Sequence, residues 1–191
     1  MEDSAVHHPV LIHPGFGNSD EPHWQSRWQQ LFPYWQRVEQ DDWHNPECQQ
    51  WVARLEETLA TMGEDTVVVA HSLGCLTLAH WASQSKHRIR AALLVAVPDP
   101  AMPAYPPSAR GFTPLPAAVL PFPSLVVTSL NDPYSSPEFA HQQALAWGSG
   151  LVEVGALGHI NGESGLGDWQ EGLDLLEKLL QRQQIDTSFA G

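Results

Sequence analysis

Three residues of this 191-residue chain supply the parts of nucleophilic acyl transfer: a hydroxyl at Ser72, a carboxylate at Asp132 and an imidazole at His159. An imidazole that takes the hydroxyl proton makes a weak nucleophile competent. A carboxylate behind it holds the ring's orientation and stabilises its charged form. Ser72 sits in Ala70-His71-Ser72-Leu73-Gly74, Asp132 in Asn131-Asp132-Pro133-Tyr134, and His159 in Gly158-His159-Ile160-Asn161. Small-x-Ser-x-Gly is common by chance, so the elements around each residue decide whether it counts.

Val67 to Val69 read as a fully buried parallel strand, and Leu76, Ala79, Trp81 and Ala82 as a helix beginning near Leu73. A serine on a sharp strand-to-helix turn needs small residues two before and two after it, which Ala70 and Gly74 provide. Glycine is usual at both places, and alanine is the mildest departure from it. Val10-Leu11-Ile12 makes the first buried strand and ends at His13-Pro14-Gly15-Phe16-Gly17-Asn18. Such a loop cradles phosphate or donates N–H groups to an oxyanion. A dinucleotide fingerprint needs a third glycine where Asp20 stands, which favours the oxyanion reading, with the N–H groups of Leu73 and Phe16 as donors.

Asp20, before Pro22, is the expected N-cap of a helix carrying Trp24, Trp28, Leu31 and Phe32, of which Trp24 is near enough to the loop to reach a pocket. Gln36-Arg37-Val38 is a short strand. Asn45 and Pro46 start a helix whose apolar stripe runs from Cys48 through Trp51, Val52, Leu55 and Leu59 to Met62 and ends at Gly63. Further strands are expected at Ala91 to Val97, Leu125 to Thr128 and Leu151 to Val154. Ser136-Pro137 and Gly148 bound one more helix, and Trp169, Leu173, Leu176 and Leu180 mark the last. Alternating apolar strands and helices argue an α/β fold: a compact, mostly parallel sheet of about six strands with helices on both faces and no cap domain. One domain spans 1–191, with 1–8 and 184–191 as loose termini. Proline breaks up 98–123, an irregular loop leaving the carboxyl end of a strand, where ligands bind in open sheets; its Tyr105, Phe112 and Leu115 are in position to wall a pocket. The pocket is expected to be shallow and bordered by Trp24, Phe112, Leu115 or Tyr134.

Ser72, Asp132 and His159 each follow a separate expected strand, in the order nucleophile, acid, histidine that characterises α/β-hydrolases. Asp99 also follows a strand and competes with Asp132 for the acid's place. His71 adjoins Ser72, but consecutive residues at a strand end point opposite ways, so it reads as packed or hydrogen-bonded and away from the hydroxyl. His7, His8, His13, His80, His87 and His141 lack a metal-ligand spacing, and Cys75 reads as core.

At 42% hydrophobic residues the chain is expected to bury a sizeable core. Nine Lys and Arg against 22 Asp and Glu leave a net charge of -13, which repels nucleic acid and anionic membranes. Two cysteines and no signal peptide suit a reducing cytoplasm. No cofactor or metal is expected.

The stretch from His13 to Trp169 resembles the small serine hydrolases related to retinoblastoma-binding protein nine. The resemblance rests on the Ser72 motif, on Leu120-Pro121-Phe122-Pro123-Ser124 leading into Asn131-Asp132-Pro133-Tyr134, and on Gly158-His159-Ile160-Asn161 followed by Ser164-Gly165-Leu166-Gly167-Asp168-Trp169. It implies a triad at Ser72, Asp132 and His159, a small sheet and no cap domain. The expected partner is a small acyl substrate, a carboxylic ester or thioester, processed through an acyl-enzyme. Peptide or amide cleavage, and a protein-interaction module built on the hydrolase fold, are the alternatives the residues leave open.

Overall fold

The computed structural model describes residues 7–188. Strands β1 (Val10–His13), β2 (Gln36–Arg37), β3 (Val67–His71), β4 (Ala91–Val95), β5 (Ser124–Thr128) and β6 (Gly150–Glu153) form one sheet in the order β2-β1-β3-β4-β5-β6, every neighbouring pair parallel. Parallel strands need crossover connections, and helices supply most of them: α1 (Trp24–Leu31), α2 (Cys48–Met62), α3 (Leu73–Gln84) and α4 (Pro137–Trp147), with α5 (Gln170–Ser188) after the last strand.

Side chains alternate across a strand, so each β-branched run feeds two cores. Val68, Ala70, Ala92, Leu94 and Val126 pack on one face with Trp51 and Leu55 of α2, most of α3, and Trp147 of α4. Val67, Val69, Leu93, Val95 and Val127 pack on the other with Trp24 and Trp28 of α1 and Leu173, Leu176 and Leu180 of α5. The central strands are buried throughout, whereas β6 lies at an edge with no fully buried residue. This arrangement matches the expected α/β layering.

Several local readings change. The N-cap of α1 is His23, whose Nδ1 accepts from the Gln25 N–H; Asp20 lies one turn earlier, where its carbonyl accepts from the His23 N–H. The cap of α2 is Glu47, not Asn45. Arg110 accepts from the Cys48 N–H and donates to the Pro46 carbonyl, which keeps Pro46 and Glu47 extended and delays the helix. Helix α5 continues to Ser188, past the expected fraying at Gln184. At the other end His8 Nδ1–H donates to Asp65 at 2.8 Å, and residues 1–6 and 189–191 of the expected termini lie outside the described residues. Residues 98–123 form turns and one isolated bridge, without helix or strand.

Helix α3 approaches the backbone at the end of β1 closely. A Cβ on Gly74 would lie 2.5 Å from the His13 carbonyl oxygen and 2.7 Å from that of Pro14. Both are backbone atoms that cannot rotate away. Gly74→Ala is therefore expected to destabilise by about 3 kcal/mol, outweighing alanine's better helix propensity. Thermal melts should show the midpoint falling by about 6–12 °C.

Candidate active site

Ser72 links β3 to α3 with φ 54° and ψ -123°, a conformation that L-residues rarely adopt. Its N–H donates to the Val95 carbonyl at 2.9 Å, and α3 begins at the next residue, so the side chain stands clear of both elements. The loop after β1 presses against this turn: a Cβ on Gly15 would lie 2.9 Å from Ser72 Cβ and 3.0 Å from Leu73 N. Within that loop Gly17 N–H donates to the Trp43 carbonyl and Asn18 N–H to that of Gly15. Among the described residues, the N–H groups of Phe16 and Leu73 have no protein acceptor. Leu73 owes this to its place in the first turn of α3.

Asp132 follows β5 and is held by the Tyr134 N–H, which donates to Oδ1 at 2.9 Å. His159 Nδ1 stands 2.9 Å from both Asp132 carboxylate oxygens, and its Nε2 2.9 Å from Ser72 Oγ. The Asp132 side chain is 1% exposed and that of His159 10%, so their contact is shielded while the ring edge reaches the cavity. Asp99 accepts from the Ala101 N–H and caps its own turn; it does not approach His159. Four contacts fix the loop that carries His159. Ser129 Oγ accepts from the Leu157 N–H at 2.9 Å, Asn131 Oδ1 from the Gly158 N–H at 2.7 Å, and His71 and Trp24 grip the carbonyls of His159 and Ile160.

A cavity of about 320 Å³ opens beside Ser72. Phe16, Leu73, Tyr134 and His159 border it, and the Tyr134 ring lies 4.3 Å from the His159 ring between centroids. From the proline-rich segment Pro98, Tyr105 and Pro106 reach it. Three expected wall residues do not. Trp24 is fully buried beneath the His159 loop, packed on Trp28 and Trp169, with its indole N–H on the Ile160 carbonyl at 2.7 Å. Phe112 is buried against Trp51 and His80, and Leu115 packs on the same core. His23, His71, Asp20 and Glu163 line the cavity without having been expected there. Glu163 lies four residues past His159 in the same loop segment, a proximity visible in the sequence; His23 carries no such signal.

As expected, His71 makes no bond to Ser72, and Cys75 is core, its thiol pushed above the ordinary range by burial. Burial also raises the Cys48 thiol to about 12, so neither cysteine is a nucleophile at neutral pH. His13 is fully buried with Nδ1–H on the Pro14 carbonyl at 2.8 Å, and burial lowers its pKa to about 4. The unfolded chain takes up that proton near pH 6.5 and the folded protein only near pH 4, so stability is full above pH 6.5 and falls as pH drops toward 4. His13→Asn keeps the donor to Pro14 and removes the titration. Melts between pH 6.5 and 4.5 should show a slope shallower in this variant by about 1.4 kcal/mol per pH unit.

Among the described residues no cluster of three or more His, Cys, Asp or Glu is arranged to hold a metal, and no helix is long and apolar enough to cross a membrane.

A YdeN-like hydrolase from Pectobacterium atrosepticum is 34% identical, with 91% of this chain and 90% of that one covered and a TM-score of 0.80. The ydeN gene product of B. subtilis is 22% identical over 91% and 99%, with a TM-score of 0.78. A thermophilic esterase from Thermogutta terrifontis shares the fold at 17% identity over 95% and 92%, with a TM-score of 0.64. No curated protein matches the chain. The parallel sheet, its helices and these likenesses make this an α/β-hydrolase fold. Residues 10–178 match the family described as Serine hydrolase, and the chain belongs to that family.

Proposed function

We propose that the protein hydrolyses a small carboxylic ester or thioester through an acyl-enzyme on Ser72. The observation that carries this is the unbroken path from the Asp132 carboxylate through both nitrogens of His159 to Ser72 Oγ, each step 2.9 Å. His159 Nε2 takes the Ser72 proton as Oγ attacks the acyl carbon. Asp132 holds the ring in the tautomer that leaves Nε2 free and stabilises the imidazolium that forms. The oxyanion meets the N–H groups of Leu73 and Phe16, whose free donors support that role. His159 then gives its proton to the leaving group, and water repeats the sequence in reverse.

A cavity of about 320 Å³ suits a short acyl group. Asp20 and Glu163 line it with no Lys or Arg among the described lining residues, which disfavours anionic acyl chains. Membership of the serine hydrolase family and the fold shared with an esterase support the reading. Treatment with a fluorophosphonate probe, followed by a panel of acyl esters, thioesters and amides of graded length, tests it. Labelling at Ser72 with turnover of short neutral esters or thioesters is expected. An unlabelled protein that turns over none of the panel would sink the reading.

A further inference from the structure

His71 closes β3 one residue before Ser72, and its buried ring lies between two other imidazoles, with centroids 4.6 Å from His23 and 4.8 Å from His159. Its Nε2 stands 2.9 Å from the carbonyl oxygen of His159, and its Nδ1 stands 3.4 Å from His23 Nε2. His23 Nδ1 accepts from the Gln25 N–H at 3.1 Å. One proton arrangement satisfies all three contacts. A carbonyl only accepts, so His71 Nε2 carries the proton and Nδ1 is bare. His23 Nε2–H donates to that lone pair, which leaves His23 Nδ1 bare to accept from Gln25. Backbone groups of fixed polarity at both ends therefore set both tautomers, and both rings are uncharged. Burial acts in the same direction, lowering His23 to about 3 and His71 well below the ordinary histidine range.

We propose that His71, backed by His23, is a positioning residue that ties the His159 loop to the elbow independently of the contact between Ser72 and His159. This rests on His159 acting as the base of the proposed hydrolase. In the free enzyme two bonds join elbow and loop, one from Ser72 Oγ to His159 Nε2 and one from His71 Nε2 to the His159 carbonyl. Once Ser72 Oγ is esterified it has no proton to donate, and the first bond is gone. The second persists through deacylation. In that step His159 Nε2 takes a proton from water as the water oxygen attacks the acyl carbon; the bond from acyl carbon to Oγ breaks, the proton passes to Oγ, and the acid leaves. Asp132 still orients the ring, but it comes from the loop after β5 and does not register His159 against the elbow.

Deacylation should thus depend on His71 more than acylation does. The full chain, assayed with p-nitrophenyl acetate, separates the two steps as burst and steady state. His71→Gln keeps a donor for the His159 carbonyl and an acceptor for His23; His71→Asn is one methylene too short to reach the carbonyl. Both are expected to acylate within about fivefold of native, while deacylation slows about a hundredfold in His71→Asn and less than about fivefold in His71→Gln, the scale set by misplacing a catalytic group. Mass spectrometry should show acyl-enzyme accumulating only in the former. His23→Asn keeps the cap of α1 but not the bond to His71, and about a tenfold loss in deacylation is expected. It keeps the test alive if His71→Asn does not fold. Native turnover with equal deacylation in the Gln and Asn proteins, or a native deacylation rate in His23→Asn where His71→Asn does not fold, overturns this inference alone. No burst and no probe labelling of the native protein overturns the hydrolase reading, and this inference with it.

Discussion

Ser72→Ala is expected to lower kcat toward a short ester by about 10⁴- to 10⁶-fold, the range for loss of a triad nucleophile. The remaining activity reflects binding and the two free N–H groups, which the substitution leaves in place. A competition assay with the fluorophosphonate probe and a progress curve at high enzyme concentration measure both effects. Native-like turnover in the alanine protein would mean that another group attacks. The same position allows a stability control. At φ 54° and ψ -123° any side chain is strained, and glycine is not. Ser72→Gly should therefore melt about 2–4 °C above Ser72→Ala, corresponding to about 1 kcal/mol. Both proteins lack the hydroxyl, so the difference isolates the backbone.

Asp132→Asn is expected to cost about 10⁴-fold in kcat while leaving the fold intact. Both carboxylate oxygens stand 2.9 Å from His159 Nδ1, and the side chain is 1% exposed, so no water replaces them. An amide there turns an N–H toward Nδ1 in one of its orientations and favours the tautomer with the proton on Nε2. That nitrogen then cannot take the Ser72 proton. Asp99→Asn is the matched control, because Asp99 bonds only to its own turn and to the Tyr134 carbonyl. Its kcat should stay within about twofold of native, as for most substitutions away from a site. Equal losses in the two proteins would reopen the choice of acid.

The positions of Ser72, Asp132 and His159 were legible because each depends on a local pattern: an apolar run that ends, followed by a turn. Strand ends in a parallel sheet share one edge, so chain order brought them together without knowledge of any contact. What the sequence did not disclose depends on partners far along the chain. Trp24 and Phe112 are large, apolar and close to the right loops, yet periodicity does not tell a pocket wall from a core residue. Trp24 became a clamp because Ile160, 136 residues away, presents its carbonyl there. The start of α2 moved from Asn45 to Glu47 because Arg110 pairs with the segment before it. For His71, alternation explained where the side chain does not go; the His23 ring that receives it comes from another element, 48 residues away.

The position of β6 puts an exposed edge next to the segment that carries His159. It is one of the sheet's two edge strands, with β2 at the other end, four residues long and paired on one side only, and none of its residues is fully buried. Local opening starts from such edges at a fraction of the global unfolding free energy. His159 is carried by the segment that follows this strand, whereas Ser72 stands on the buried centre of the sheet. Under mild denaturant the β6 amides are expected to exchange with solvent ahead of those of the buried β3 and β4, as hydrogen exchange would measure, and His159 to part from Ser72 while the tryptophan cores are still closed. Turnover by the proposed hydrolase is then expected to be lost at a lower denaturant concentration than the fold.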